Sequence, residues 1–187
     1  MFEREIRDLG SVPRWVTARH IHKQSVALHS YYVAIYADQI ATHCSVLCDR
    51  AALLRYALWH DADEGFTGDM PGPVKRQTMD QDKIHSFIAT HLKKRFPSEE
   101  WVKPKDILIC QIVKVADCID AILWNAAERQ LGNMSLRPYR DNDWRNLKTA
   151  LSKMTILTSD QRRDLIAAVV QAEDTQLYSS SKAIVDE

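Results

Sequence analysis

Glycine and proline are scarce in this chain, whose 187 residues include only 5 Gly and 6 Pro. Because these two residues end helices and build most tight turns, a chain that has so few of them favours long helices over many short strands. No segment alternates apolar and polar residues in the way that a half-buried strand does. The sequence therefore predicts an all-α fold, and its length favours a single domain over residues 1–187.

Apolar residues at helical spacing divide the chain into seven predicted helices. They cover residues 2–9, 25–44, 49–60, 79–96, 106–131, 142–153 and 159–177. Ser25 is a predicted N-cap, Thr158 and Gln161 form a predicted capping box, and Gly132 marks a helix end. Gly65, Gly68, Pro71, Gly72 and Pro73 gather within residues 65–73, which predicts a long loop of the kind that often carries a functional site.

Charge and cysteine content narrow the class of protein. Lys plus Arg and Asp plus Glu both number 25, so bulk charge does not favour a nucleic-acid polymer as a partner. The 4 Cys lie in apolar segments without a CxxC pair, which predicts free thiols in a reducing compartment. No apolar run reaches the roughly 18 residues of a membrane-spanning helix, and the N-terminus lacks a signal-peptide core. We expect a cytoplasmic protein with no membrane partner.

His60-Asp61 ends a predicted apolar helix and is the first candidate for metal binding. An imidazole nitrogen beside a carboxylate oxygen suits Mn, Fe, Co, Zn or Mg. The dipeptide alone is a weak signal, because it arises by chance in many chains. It indicates a metal site only if other residues of the sequence are candidate ligands for the same ion.

Three further residues strengthen the metal hypothesis. His29 lies on the apolar stripe of an earlier predicted helix, where a buried histidine without a ligand is the alternative. Asp117 lies inside an apolar helix, where a carboxylate is costly to bury without a cation, and a salt bridge with Lys114 is the alternative. Glu64 follows His60 by one helical turn. Two imidazoles and two carboxylates would leave coordination positions for water and a phosphate oxygen.

The order His…His-Asp…Asp resembles the signature of the HD-domain phosphohydrolase superfamily. Arg14-Trp15, residues 25–30, residues 60–75 and residues 114–117 resemble the bacterial 5′-deoxynucleotidases and, equally, the phage dATP triphosphohydrolases. The resemblance spans roughly residues 13–124. Its most specific part is the block that runs from Thr67-Gly68-Asp69 to Pro73-Val74-Lys75.

This resemblance implies an all-α, single-domain HD-domain bundle with a central metal site and metal-dependent hydrolysis of nucleotides. The implied metal ligands are His29, His60, Asp61 and Asp117. Glu64 would orient or deprotonate the attacking water, and Asp69 would hold the sugar or the reacting oxygen. The implied substrate-binding residues are Arg14, Trp15, Lys75 and Lys114. Trp15 would stack on the base, and a core-anchoring role is the alternative for it.

The resemblance further implies one divalent metal ion, namely Mn, Co, Zn or Mg, and allows a further ion on the substrate phosphates. It implies a deoxynucleotide substrate, a homo-oligomer, and a host that is a bacterium or a phage-infected bacterium.

The sequence offers two readings of which phosphate bond is cut. The short interval from His60-Asp61 to Asp117 resembles the phage enzymes more than the deoxynucleotidases. The candidate cations are Arg19, His20, His22, Lys23, Lys75, Arg76 and Lys114. They exceed what one phosphate requires, so we expect a dATP-type triphosphohydrolase that releases deoxynucleoside and triphosphate. A 5′-deoxynucleotidase that acts on deoxynucleoside monophosphates is the alternative.

Remoter alternatives remain inside and outside the superfamily. A guanosine-tetraphosphate hydrolase would share His60-Asp61 but has no evident need of Arg14-Trp15. A second metal would require two more histidines, and His85 and His91 lie six residues apart, which directs them about 240° apart around a helix. A non-catalytic helical binding module is the alternative outside the enzymes, and it would not need a carboxylate inside an apolar helix.

Overall fold

The computed structural model of the chain describes residues 4–70 and 104–182, together with Ser86, residues 89–91, Lys93 and Lys94. Within these residues every regular element is helical, and the only β-type pairing is a single antiparallel bridge between Pro13 and Ser25. The predicted all-α fold is confirmed. None of the described helices is both long and apolar enough to cross a membrane.

The described part of the chain contains six α-helices. They are α1 (Val26–His43), α2 (Arg50–Trp59), α3 (Glu64–Thr67), α4 (Ile107–Gln130), α5 (Arg137–Lys153) and α6 (Ser159–Lys182). Two 3-10 segments, Arg4–Gly10 and Met134–Leu136, accompany them.

Side-chain caps set several of the helix ends. The Ser25 hydroxyl accepts a hydrogen bond from the Leu28 N–H at the start of α1. Before α6, the Thr158 N–H donates to the Gln161 side chain and the Gln161 N–H donates to the Thr158 hydroxyl. This reciprocal pair is the predicted capping box, because each side chain satisfies a backbone N–H that the first turn of a helix leaves without a partner.

Two predicted boundaries were wrong. Helix α5 begins at Arg137 instead of residue 142, because Pro138 lies in the first turn, where the N–H that proline lacks is not needed. Glu64 and Gly65, expected at the start of a loop, belong to α3, and the chain leaves helical geometry at Gly68, whose φ is 73°. The loop after Met70, the rest of the predicted helix 79–96 and the predicted site residue Lys75 lie outside the described residues.

Helix α4 lies at the centre of the described fold and packs against α1, α2, α5 and α6. Its apolar residues, such as Ile112, Val115 and Ile119, join Val33 and Ile40 of α1 in one buried core. Because other helices surround α4, polar residues on several of its faces are also buried. Each of these needs a partner, and the functional site is built around some of them.

The segment of residues 11–24 has no regular structure but is fixed by hydrogen bonds to the C-terminal part of α4. The buried Glu128 carboxylate accepts hydrogen bonds from the N–H groups of Ile21 and His22, both at 2.6 Å. The Asn133 amide donates to Glu128 and to the Arg19 carbonyl. These contacts hold the residues between Pro13 and Ser25 in place beside α4.

A second buried carboxylate joins three helices. Glu173 of α6 accepts hydrogen bonds from Arg129 of α4 and from Arg140 and Trp144 of α5. Burial would raise the pKa of Glu173, but the hydrogen bonds and charge of Arg140, followed by the charge of Arg129, outweigh it and leave the pKa below its usual value. Glu173 is therefore ionised in the folded protein at neutral pH.

Candidate metal centre

The four predicted metal ligands converge from three parts of the fold. His29 projects from α1, His60 and Asp61 follow α2, and Asp117 lies in the middle of α4. The His29 Nε2 atom lies 3.4 Å from a carboxylate oxygen of Asp61 and 3.4 Å from one of Asp117. The His60 Nε2 atom lies 3.3 Å from the same Asp61 oxygen. Ligand atoms of His29, His60 and Asp117 all lie within 4.8 Å of one another, as a shared ion would require.

Hydrogen bonds to the outer nitrogen of each ring orient both imidazoles. The His60 Nδ1 atom lies 2.7 Å from the Ala57 carbonyl oxygen, and the His29 Nδ1 atom lies 2.6 Å from a carboxylate oxygen of Asp120. Because both acceptors require a proton on Nδ1, each Nε2 presents a lone pair to the cluster. Neither buried Nε2 atom has a hydrogen-bond partner among the described residues. Two imidazole lone pairs and two carboxylates facing one point fit a divalent cation.

The charges of the cluster shift its pKa values against the effect of burial. Burial would lower the pKa of His29 and His60, but the hydrogen bond from His29 to Asp120 and the charge of Asp61 beside His60 raise both. Burial would raise the pKa of Asp61, and the two imidazoles instead hold it well below its usual range. The pKa of Asp117 is lowered to about 2, because Lys114 and His29 outweigh burial. The site therefore favours positive charge at its centre.

Asp120 and Gln24 are site residues that the sequence reasoning missed. Asp120 is buried and accepts hydrogen bonds from His29 and, at 2.8 Å, from the Gln24 amide. The Gln24 carbonyl in turn accepts a hydrogen bond from the Trp15 indole N–H at 3.2 Å. A hydrogen-bonded chain therefore links Trp15 to His29. One local signal was available for Asp120, which follows Asp117 by three positions within the same apolar helix.

Arg14 and Lys114 place positive charge beside the cluster. The Arg14 guanidinium lies 3.8 Å from Asp61 and 4.0 Å from Asp117, too far for a hydrogen bond, and its buried NH1 group has no hydrogen-bond partner in the described part of the chain. The Lys114 ammonium lies 2.6 Å from the other oxygen of Asp117. The predicted alternative for Asp117, a salt bridge with Lys114, is thus present together with the contact to His29.

The remaining predicted site residues lie around this centre. Glu64, at the start of α3, is 7% exposed, and its charge helps to raise the pKa of Arg14. Asp69 accepts a hydrogen bond from the Trp15 backbone N–H at 2.8 Å. His91, considered for a second metal, stacks on the Phe66 ring at a centroid distance of 4.8 Å.

Trp15 forms one wall of a cavity and has a backbone conformation that is unusual for a large residue. Its φ is 61°, in the left-handed region. The Trp15 indole stacks on Trp124 with ring centroids 4.6 Å apart, and its edge meets Tyr139 at 6.2 Å. Strained backbone of this kind occurs mainly where a side chain is held for function. Both expected roles of Trp15 receive support, since the ring packs on Trp124 and also lines the cavity.

The cavity has a volume of about 510 Å³ and adjoins the metal cluster through Arg14 and Asp117. Asp143 and its neighbours Tyr139, Asn142 and Asn146 line it from α5. Burial, followed by the charge of Asp117, raises the pKa of Asp143 to about 7. The volume is in the range of roughly 300–1,000 Å³ that is usual for small-molecule sites.

The cationic residues expected around a triphosphate are not gathered at this cavity. Among the described residues that line it, Arg14 and Lys114 are the cations. Arg19, His20, His22 and Lys23 are not lining residues. The His22 backbone is instead bound to Glu128, about three turns of α4 beyond Asp117. The sequence predicted this basic run beside His29, because the two are close in the chain. In the fold, Arg19 and His22 instead contact residues at the C-terminal end of α4.

Comparison with known proteins identifies relatives over most of the chain. The family profile described as 5′-deoxynucleotidase YfbR-like matches residues 1–159. The 5′-deoxynucleotidase YfbR of Salmonella typhi is 29% identical over 184 residues, which cover 84% of this chain and 83% of that protein. The protein of the same name from Salmonella paratyphi B is 28% identical over 180 residues and covers the same shares.

Solved structures share the fold. The PH0347 protein from Pyrococcus horikoshii OT3 superimposes with a TM-score of 0.67 and 25% identity, over 90% of this chain and 96% of that one. The cyanophage S-2L HD phosphohydrolase DatZ, bound to dA and one catalytic Zn²⁺ ion, gives a TM-score of 0.70 with 17% identity, over 94% and 98% of the two chains. An HD-domain phosphohydrolase from Listeria innocua gives a TM-score of 0.63 with 17% identity, over 98% and 96%.

Proposed function

The chain belongs to the family of YfbR-like 5′-deoxynucleotidases, and on this premise we propose that it removes the 5′-phosphate from deoxynucleoside monophosphates. It is a metal-dependent HD-domain phosphohydrolase, and the proposal concerns its substrate and the roles of its residues. The observation that carries the proposal is a candidate metal cluster beside a cavity in which the described residues provide two cations, Arg14 and Lys114.

His29, His60, Asp61 and Asp117 would hold one divalent ion. Two imidazoles suit Zn, Co or Mn better than Mg, which prefers oxygen ligands alone. When bound, such an ion lowers the pKa of water and withdraws charge from phosphoryl oxygens. Asp120 and the Ala57 carbonyl would keep the two rings in the orientation that presents Nε2 to the ion.

The residues around the ion would bind the phosphate and direct water at it. Among the described residues the Arg14 NH1 group has no hydrogen-bond partner, so it can donate to a phosphoryl oxygen, and the guanidinium geometry suits a bidentate contact. Lys114 would neutralise charge as a second cation. Glu64 is a buried carboxylate near Arg14, and it would hold the attacking water or accept its proton.

The rest of the cavity would receive the nucleoside. Trp15 and Tyr139 provide aromatic surfaces against which a base can stack. Asp69, tied to the Trp15 backbone, would accept a hydrogen bond from the sugar. Lys75 remains a proposed phosphate contact on the basis of the sequence alone.

The cations among the described cavity residues favour a monophosphate over a triphosphate. A nucleoside triphosphate brings roughly four negative charges, which need more positive charge than Arg14 and Lys114 supply with one divalent ion. A dATP triphosphohydrolase remains the second candidate because the interval between His60-Asp61 and Asp117 is short and because Lys75 and Arg76 follow the HD pair in sequence. The cyanophage enzyme shares the fold with this chain, but a likeness at 17% sequence identity is no evidence that the two share a substrate.

Product analysis distinguishes the two candidates. The metal-free protein is loaded in turn with Mn²⁺, Co²⁺, Zn²⁺ or Mg²⁺ and incubated with dAMP, dATP and, as a control for the sugar, AMP. We expect orthophosphate and deoxyadenosine from dAMP and little turnover of dATP. Deoxyadenosine and intact triphosphate from dATP, with dAMP untouched, would establish the second candidate instead.

A further inference from the structure

Asp143 lines the same cavity as Arg14 and Asp117, whose charges shift its pKa, and the proposed function gives it no role. Its side chain projects from α5, is 7% exposed and lines the cavity together with Asp117 and Cys118 of α4. It is not one of the residues whose ligand atoms gather at the metal cluster. A buried carboxylate in this position requires an explanation.

The hydrogen bonds of Asp143 are incomplete. The Asn125 amide, which is itself buried and donates to the Leu136 carbonyl, acts on the Asp143 carboxyl group and offsets part of the pKa rise that burial causes. The Oδ2 atom is buried and has no hydrogen-bond partner among the described residues. With its pKa raised to about 7, Asp143 is partly ionised at neutral pH. In that form a carboxylate accepts about four hydrogen bonds, so this atom has unused acceptor capacity. Because an unsatisfied buried acceptor is costly, its presence in a binding cavity indicates a ligand that supplies the donor.

Charge determines which part of a nucleotide can meet this oxygen. A carboxylate repels a phosphate group, and Arg14 and Lys114 are the cations among the described cavity residues that can bind the phosphate instead. The nucleoside is uncharged and carries hydrogen-bond donors. Tyr139, one helical turn before Asp143, meets the Trp15 edge, so the same wall of the cavity combines an aromatic surface with an acceptor.

We propose that Asp143 is a nucleoside-binding residue, whose free carboxylate oxygen accepts a hydrogen bond from a donor of the deoxynucleoside. The donor is the 3′-hydroxyl group or an exocyclic amine of the base, since these are the donors that the nucleoside part of dAMP offers once its 5′-oxygen carries the phosphate. This assignment rests on the proposed function, because it requires a nucleotide in the cavity.

Binding of nucleosides without phosphate tests the assignment independently of turnover. The probes are 2′-deoxyadenosine, 2′,3′-dideoxyadenosine, which lacks the 3′-hydroxyl, and purine 2′-deoxyriboside, which lacks the amine. Their dissociation constants are measured by calorimetry on the metal-loaded wild type and on the Asp143→Leu and Asp143→Asn variants. Asp143→Leu removes the acceptor at similar volume, and Asp143→Asn keeps a neutral acceptor.

We expect the wild type to bind one of the two analogues about tenfold more weakly than deoxyadenosine, and that analogue identifies the donor. The Asp143→Leu variant should bind deoxyadenosine more weakly than the wild type does, by the same factor. The same variant should bind the analogue that identifies the donor no more weakly than the wild type does. Asp143→Asn should recover part of the loss. Metal content and inhibition by inorganic phosphate should stay unchanged in both variants, and the exposed Asp141→Asn on the same helix should match the wild type in all respects.

Two results would overturn the assignment. If the wild type binds all three nucleosides equally, or if Asp143→Leu weakens all three by the same factor, Asp143 supports the fold and does not bind a ligand. If the wild type binds none of them and releases no phosphate from dAMP, the proposed function fails and the assignment fails with it. Phosphate release from dAMP distinguishes these two cases.

Discussion

Two histidines at the centre of the molecule have the same arrangement of hydrogen bonds. Each has its Nδ1 atom at a fixed acceptor, the Ala57 carbonyl or the Asp120 carboxylate, and each directs Nε2 towards Asp61. The acceptor selects the tautomer, and the tautomer selects which nitrogen can coordinate a metal. A carboxylate behind His29 also makes its ring a stronger donor to a cation.

Removing one ligand should remove the metal without unfolding the protein. We expect His60→Ala and Asp117→Ala to lose most of the bound ion and all measurable activity, because each deletes a ligand of the cluster while the surrounding core stays packed. Metal content by mass spectrometry and helical content by circular dichroism check this. The exposed His43→Ala on α1 is the matched control and should keep its metal, whereas stoichiometric metal in folded His60→Ala would contradict the ligand assignment.

Glu64→Gln should separate metal binding from chemistry. The amide has the same shape as the carboxylate but cannot accept a proton, so we expect turnover to fall by about 10²-fold or more while the metal stays bound. Steady-state kinetics with dAMP and metal analysis of the same sample test this. A variant that hydrolyses dAMP at the wild-type rate would exclude Glu64 from handling the water.

At the scale of elements, the irregular segment of residues 11–24 is the part of the fold that completes the site. It carries Arg14, Trp15 and Gln24, and its far end is bound through backbone N–H groups to Glu128 of α4. The segment therefore owes its shape to a glutamate that follows its partners Ile21 and His22 by more than 100 residues in the chain. Hydrogen bonds through Gln24 and Asp120 join Trp15, the proposed base-stacking residue, to His29, a proposed metal ligand.

Glu128→Gln should loosen this segment selectively. The amide places a donor where two backbone N–H donors now meet a carboxylate, so we expect faster hydrogen exchange at Ile21 and His22 and a KM for dAMP raised about tenfold. The kcat value should change less, because the metal ligands do not depend on Glu128. Exchange measured by mass spectrometry and steady-state kinetics test this, with the exposed Asp174→Asn as a control. Unchanged exchange at Ile21 and His22 would show that Glu128 does not hold the segment.

The sequence predicted the features that depend on near neighbours. The cap at Ser25, the capping box of Thr158 and Gln161, and the helical spacing of His29 and Asp117 are all local patterns. The partner of His29 was not predictable in this way, because Asp120 lies 91 positions away in the chain and only packing of α1 on α4 brings the two together. The same reason explains the wrong placement of the basic residues from Arg19 to Lys23.

At the scale of the whole molecule, α4 is the element on which the others assemble. Its middle part carries Lys114, Asp117 and Asp120 to the site, and its C-terminal end binds residues 11–24 through Glu128 and α6 through Arg129. Buried carboxylates thus fix both the site and the attachment of the last helix. This arrangement makes stability depend on their ionisation.

Glu173→Gln should lower the free energy of unfolding by about 3 kcal/mol at pH 7, because Arg129 and Arg140 lose a buried anion. The folded pKa of Glu173 is lower than the ordinary value of 4.5, so its contribution is complete above pH 4.5 and is lost as the pH falls through the folded pKa. The difference between wild type and variant should therefore shrink below pH 4.5. Urea unfolding at a series of pH values measures this, and a difference that stays constant down to pH 2 would contradict it.

The proposed metal ligands come from α1, from the turn after α2 and from α4, so an ion that they share would bind the folded chain and not the unfolded one. The supply of free metal then becomes a determinant of how much folded protein a cell maintains. An ion at a hundred times its dissociation constant adds about 2.7 kcal/mol to the free energy of unfolding. Metal starvation would thus act on abundance as well as on turnover, because protein that lacks its ion unfolds more often and is degraded sooner.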